Sequence, residues 1–146
     1  MKRTLASLSC AVAITLLLGA WSNAPDGASP KLELYRAHAG DAVENFSYHG
    51  RLDSWEALDD STIAVWTRPS KAWLIDLVGI CGNLKDTPVI GITSQGKRVH
   101  GGHGEVLVRD ASGHQSPCYI KSIRPLDMDA IRQAKLQSSE VKAPAA

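Results

Sequence analysis

The sequence predicts a mainly β protein of the α+β class: a small antiparallel sheet or partly open barrel of about six strands, with a short helix at each end. Residues 46–124 are short runs rich in Val, Ile, Trp and Thr, separated by turn sequences such as Asp-Asp, Gln-Gly and Gly-Gly. Short strands at this spacing are typical of an antiparallel sheet or a small barrel. Helix start signals at Ser29 and Asp127 flank this region. Residues 29–137 are therefore the predicted single domain.

The N-terminus has the pattern of a signal peptide. Lys2 and Arg3 precede residues 4–21, which contain no charged residue. A positive start followed by an apolar stretch is typical of exported proteins, and it predicts a signal peptide over residues 1–22 and a linker over residues 23–28. Because a membrane-spanning helix needs roughly 18–20 apolar residues, an uncleaved inner-membrane anchor facing the periplasm is the alternative.

Export leaves one pair of cysteines in the domain. Cys10 lies inside the apolar run, and its neighbours do not fit a lipidation site. Because Cys10 is removed with the predicted signal peptide, only Cys81 and Cys118 remain after cleavage. Cysteine pairs form disulfides in oxidising compartments. The sequence therefore predicts a periplasmic domain stapled by a Cys81–Cys118 bridge.

The first helix is predicted to begin at Ser29, whose side chain can cap it, with Pro30 in the first turn. Residues 31–39 continue this helix, and Gly40 is placed to end it.

The last helix is predicted to begin after Asp127, with Met128, Ile131 and Ala134 on one face. Beyond Gln137 the chain has little apolar surface, so residues 138–146 are predicted to be a disordered tail.

The segment VWTRPSKAWL predicts a hairpin that turns at its Pro-Ser dipeptide. Counting outward from that turn pairs Arg68 with Lys71 and Trp66 with Trp73, and cross-strand aromatic pairs stabilise hairpins. Apolar residues on both faces predict that this hairpin is covered on both sides. Two interpretations of the tryptophans remain open: they pack the hairpin, or with Arg68 and Lys71 they form a platform for a glycan.

The segment SQGKRVHGGHGEVLV predicts a second hairpin that turns at its Gly-Gly dipeptide. This register places His100 opposite His103 and Arg98 opposite Glu105, an opposite-charge pair that favours it.

Metal binding at this turn is a weaker interpretation than a polar hairpin tip. His100 and His103, with His114 as a third ligand, are the candidates for Zn²⁺ or Cu²⁺. Structural zinc sites need four ligands and catalytic sites three, and Cys118 is already assigned to the disulfide. No metal is therefore expected.

The sequence contains no recognisable catalytic or cofactor-binding motif. GITSQGKR has the glycine and lysine spacing of a P-loop, but Arg98 stands where Ser or Thr must hold Mg²⁺. Asp59 and Asp60 are neighbours, so they point to opposite faces of a strand and cannot flank one substrate. We predict no cofactor and no enzymatic activity.

The charge balance argues against nucleic acid as a partner. The 146 residues carry 16 Lys and Arg against 15 Asp and Glu, a net charge of +1, without a basic stripe. Membrane contact is expected only through an uncleaved signal segment.

The order of motifs resembles a family of small exported gammaproteobacterial proteins, often lipoproteins, known as a domain of unknown function. The resemblance is carried by YRAHAGDAVENFSYHGRLDSWEALDD, VWTRPSKAWLIDL, IGITS, IRPLD and the two cysteines, over about residues 32–131. It implies export and a mainly β domain, and it implies no activity, substrate or catalytic residue.

These observations favour a non-catalytic envelope module that binds or supports an envelope protein or a glycan. The alternative is a periplasmic ligand- or metal-binding protein that uses the Trp66 and Trp73 pair or the His100 and His103 tip.

Overall fold

The computed structural model describes residues 28–142, which form two helices and eight strands. The predicted signal peptide, nearly all of the linker and residues 143–146 lie outside the described residues. The elements in chain order are α1 (Pro30–Ala37), β1 (Asn45–Ser47), β2 (Ser54–Ala57), β3 (Thr62–Arg68), β4 (Lys71–Leu77), β5 (Ile90–Ile92), β6 (Arg98–His100), β7 (Glu105–Arg109), β8 (Gln115–Leu126) and α2 (Met128–Lys142).

Six strands form one antiparallel sheet, which curves into a half-barrel in the order β2-β3-β4-β8-β7-β5. β1 and β6 pair separately as a two-stranded antiparallel sheet. A helix lies near each end of the described chain. The predicted fold class is confirmed.

β8 is the central strand that joins the two halves of the large sheet. Residues 115–119 of β8 pair with β7, and residues 120–126 pair with β4. A bulge between Asp76 and Leu77 interrupts the pairing of β4 with β8. Because a bulge bends its strand and increases the local twist, it helps the sheet to curve.

The inner face of the half-barrel holds the main hydrophobic core. Phe46 of β1 and Val99 of β6 pack against it from the opposite side, so the two-stranded sheet covers the open half-barrel. The sheet contributes side chains that are almost completely buried: Ile63, Val65, Ile75, Leu77, Val106, Val108, Ile120 and Ile123.

The two helices cover the outer face of the sheet over β3 and β4. Tyr35 of α1 and Ile131 of α2 are each 1% exposed, and they belong to one cluster with Ala64, Leu74 and Leu126 of the sheet. The β3–β4 hairpin is therefore covered on both sides, as its sequence predicts.

Both predicted N-caps are confirmed, whereas both predicted helix ends are wrong. The Ser29 hydroxyl accepts a hydrogen bond from the backbone N–H of Leu32, and the Asp127 carboxylate accepts one from Ala130. α1 ends at Ala37 because the next residues turn into the sheet: the backbone N–H of Gly40 donates to the carbonyl of Pro125, 2.8 Å away.

α2 continues to Lys142, five residues beyond the predicted end at Gln137. The hydroxyls of Ser138 and Ser139 donate to the carbonyls three residues before them, which satisfies polar groups along this exposed last part. Neither helix in residues 28–142 is long and apolar enough to cross a membrane.

Candidate functional site

The predicted disulfide is confirmed. Cys81 and Cys118 are bonded, with 5.8 Å between their Cα atoms and a sequence separation of 37. The bridge ties the loop after β4 to the start of β8, and Cys81 is buried. A disulfide of this kind is typical of proteins in an oxidising compartment.

The predicted register of the β3–β4 hairpin is correct at the turn and wrong beyond it. Arg68 is opposite Lys71, but a bulge at Thr67 shifts the following pairs, so Trp66 lies opposite Ala72 and Trp73 opposite Val65. A bulge inserts one residue that has no counterpart on the partner strand. The two indoles are therefore not cross-strand neighbours.

Each tryptophan instead packs on a different face of the sheet. Trp66 meets the ring of Tyr35 edge to face on the helix side, with 6.3 Å between centroids. Trp73 stacks on Phe46 in the main core at 5.0 Å, and it is only 9% exposed. The four candidate platform residues do not form one surface, because Trp66 lies on the opposite face of the sheet from Trp73, and only Lys71 contacts a tryptophan ring, that of Trp73.

Arg68 and Lys71 line a small cavity, which we call the basic cavity, of about 70 Å³. Its other lining residues are Ser47, His49, Arg51 and Thr67. His49 and Arg51, which follow β1 in the segment Tyr-His-Gly-Arg, were not predicted as site residues. Two basic residues flanking a turn glycine were the available signal, but nothing in the sequence placed them beside the β3–β4 turn.

The predicted hairpin around Gly101 and Gly102 is wrong. β6 pairs with β1, whereas β7 pairs with β5 and β8. Arg98 lies opposite Ser47, and Glu105 lies opposite Tyr119. The Gly-Gly segment does turn the chain, but its N–H groups donate to the carbonyls of Glu44 and Ile120, so it leads from one sheet into the other.

His100 and His103 still line one groove, of about 620 Å³, together with Arg98 and Glu105. His114 lies in the turn at the other end of β7, so the structure does not bring the three candidate histidines together. Residues 28–142 contain no group of three or more His, Cys, Asp or Glu residues arranged to hold a metal ion.

His114 belongs to a hydrogen-bonded turn centred on Asp110. The Asp110 carboxylate accepts hydrogen bonds from the Ser112 hydroxyl at 2.6 Å, the Ser112 N–H at 2.9 Å and the His114 N–H at 2.8 Å. These bonds lower the pKa of Asp110 below its ordinary value, and the bond from the Ser112 hydroxyl has the largest effect.

We expect Ser112→Ala to raise the pKa of Asp110 toward its ordinary value. A lowered folded-state pKa means that the carboxylate stabilises the fold above the unfolded-state pKa, and that this contribution disappears as the pH falls through the folded-state pKa. Carbon-detected NMR titration of the Asp110 carboxyl in parent and variant measures the change. Equal titration midpoints would contradict this role of the hydroxyl.

A second groove, of about 710 Å³, lies at the end of the large sheet where β5 is the outermost strand. We call it the β5 groove. Its apolar lining includes Pro88, Val89, Gly91, Leu107 and Ala111, and Val89 is 66% exposed. This groove was not predicted from the sequence, because it depends on the pairing of β5 with β7, which are separated in the chain by β6.

Fold and surfaces together define a small disulfide-linked half-barrel with an apolar groove at one sheet edge and a basic cavity at a hairpin turn. The chain belongs to the family of unknown function DUF6491, whose sequence profile matches residues 1–142. This match confirms the resemblance to a domain of unknown function over nearly the whole chain. No curated protein and no solved structure gives a significant match.

Proposed function

We propose that this protein is an exported, non-catalytic binding module of the cell envelope, and that it binds an extended segment of a partner protein in the β5 groove. The disulfide supports an oxidising location. The observation that carries the proposal is the combination, in one place, of an unpaired strand edge and an apolar groove.

The outer edge of β5 offers backbone groups to a partner. Thr93 N–H donates to the carbonyl of Glu105, and in an antiparallel pair the bonded positions alternate along the strand. Gly91 therefore faces β7, while the N–H and C=O groups of Ile90 and Ile92 point away from it. Within residues 28–142, these outward groups have no backbone partner.

The groove supplies the side-chain contacts that such a strand needs. Added strands gain affinity from backbone hydrogen bonds and specificity from pockets for alternate side chains. Gly91 has no side chain and lies beside Leu107, so the surface over this pair is open to an incoming apolar side chain. Arg109 and Asp86 at the rim can pair with charged residues of the partner.

The test uses peptides selected from a displayed library of extended decapeptides against the oxidised protein. We expect Val89→Asp to weaken their binding at least tenfold, about 1.4 kcal/mol, because it puts a charge against the apolar side chains of the ligand. Bound peptide should also slow amide hydrogen exchange at Ile90 and Ile92. Calorimetry and exchange detected by NMR give the two readouts.

Leu136→Asp is the matched control, since Leu136 is an equally exposed apolar residue, 60% against 66%, on α2. It should leave the affinity unchanged. Selected peptides that bind Val89→Asp as tightly as the parent, or that leave exchange at Ile90 and Ile92 unaltered, would contradict the proposal.

A further inference from the structure

We propose that the basic cavity is a binding site for a phosphate or sulfate group. It lies at the β3–β4 turn, apart from the β5 groove, and it is lined by Ser47, His49, Arg51, Thr67, Arg68 and Lys71. This site is independent of the proposed peptide binding, so each proposal can fail without the other.

The lining of the basic cavity carries an excess of positive charge. Three cationic side chains, Arg51, Arg68 and Lys71, converge with His49, and the lining contains no carboxylate. The ion pairs found within residues 28–142 involve none of these four side chains. The positive charge is therefore available to an anion.

The register of the β3–β4 hairpin places two positive side chains opposite each other beside the cavity. Arg68 and Lys71 are direct cross-strand partners, although like charges in this position destabilise a sheet. Thr67 is the residue inserted by the adjacent bulge, and bulges re-aim side chains next to functional sites. An anion placed between the two cations turns their repulsion into two attractive contacts.

The available donors match an oxyanion. The planar guanidinium groups of Arg51 and Arg68 present pairs of N–H donors that suit phosphate oxygens, and Lys71 adds a point charge. The hydroxyl of Ser47 lines the same cavity and can donate as well, whereas the Thr67 hydroxyl already donates to the carbonyl of Lys71 at 3.4 Å. Lys71 Nζ lies 5.5 Å from the centroid of the Trp73 ring, a contact that favours its position beside the cavity.

The size of the cavity favours a small anionic group. The cavity has a volume of about 70 Å³, and most of its lining residues are exposed. This volume suits a single tetrahedral oxyanion, part of which can stay in contact with solvent. The group can be a free ion or the phosphate of a lipid headgroup that projects into the cavity.

The decisive experiment titrates the oxidised protein with inorganic phosphate at constant ionic strength, with the side-chain Nε–H signals of Arg51 and Arg68 followed by NMR. We expect saturable shifts of these signals, and at least a tenfold loss of affinity in Arg51→Gln/Arg68→Gln. The double variant should stay folded, because it removes a repulsion and leaves no charge unpaired.

The control Arg132→Gln/Lys142→Gln also removes two positive charges, but from α2. It should change the affinity for phosphate less than twofold. Equal losses in both double variants, or shifts that do not saturate, would overturn the site, because binding would then follow only the net charge of the protein.

Flotation with vesicles distinguishes the two sources of the phosphate group. Phosphatidylcholine vesicles with or without phosphatidic acid are mixed with the same proteins. Binding that requires phosphatidic acid, is lost in Arg51→Gln/Arg68→Gln and is reversed by inorganic phosphate assigns the site to a lipid headgroup. Phosphate binding without vesicle binding assigns it to a free anion. Either result supports the site, and the absence of both overturns it.

Discussion

Replacing both Cys81 and Cys118 by alanine is expected to lower the free energy of unfolding by up to about 4 kcal/mol. The bridge closes a loop with a sequence separation of 37, and on the loop-entropy model a cross-link of this length restricts the unfolded chain by about that amount. Alanine is chosen because Cys81 is buried, where a serine hydroxyl would need a hydrogen-bond partner. Urea unfolding of parent and double variant measures the difference.

A reducing agent provides the matched control. It should lower the stability of the parent to that of the double variant, and it should leave the double variant unchanged. If reduction does not alter the parent, or if the double variant is as stable as the parent, the bridge does not stabilise the folded protein.

The position of the bridge also separates the two proposed surfaces. β5, β6 and β7 all lie in the loop that Cys81 and Cys118 close, and so does the lining of the β5 groove. The basic cavity is built from residues 47–71, outside that loop. We therefore expect reduction to weaken binding in the β5 groove more than phosphate binding.

The fold class, the disulfide and the helix starts could be predicted from the sequence, because each depends on neighbouring residues or on the number of cysteines in the domain. Ser29 and Asp127 cap their helices through bonds to residues three positions away. Only two of the three cysteines lie in the predicted domain, so within that domain they have only each other to pair with. Alternating apolar residues and turn dipeptides are enough to indicate strands.

The strand pairings beyond the turns could not be predicted, because they depend on contacts between distant parts of the chain. The bulge at Thr67 moves Trp73 opposite Val65, and Trp73 then stacks on Phe46, which lies 27 residues earlier in the chain. A count outward from the turn assumes an uninterrupted ladder. The same assumption placed Arg98 opposite Glu105, whereas β6 leaves the large sheet to pair with β1.

The residues of the basic cavity also divide into those that a local signal predicts and those that only the fold brings together. Arg68 and Lys71 were identified because the turn itself fixes their pairing. His49 and Arg51 reach the basic cavity only because β1 packs over the half-barrel beside β3 and β4, and this is a property of the fold rather than of any short segment. The glycan platform required both indoles on one face, a condition that a single inserted residue removes.

Gly104→Ala is expected to lower the free energy of unfolding by about 1–3 kcal/mol, the range found for overpacked cores. A Cβ at Gly104 would lie 2.6 Å from the carbonyl oxygen of His100 and 2.9 Å from Cδ1 of Ile120. The carbonyl cannot easily move away, because it accepts the N–H of Gly104 itself at 2.9 Å. Ile120 is fully buried in the main core, so its side chain has little room to shift.

Gly82→Ala is the matched control for this steric argument. Gly82 is exposed, has no heavy atom within 4 Å of the added Cβ and, like Gly104, does not have a positive φ. Alanine there should be neutral or stabilise the protein by up to about 1 kcal/mol, because it reduces the freedom of the unfolded chain. Urea unfolding of both oxidised variants makes the comparison. Equal midpoints for the two variants would contradict the close packing of the His100–Gly104 turn, since the contacts of the added Cβ with the His100 carbonyl and with Ile120 distinguish the two glycines.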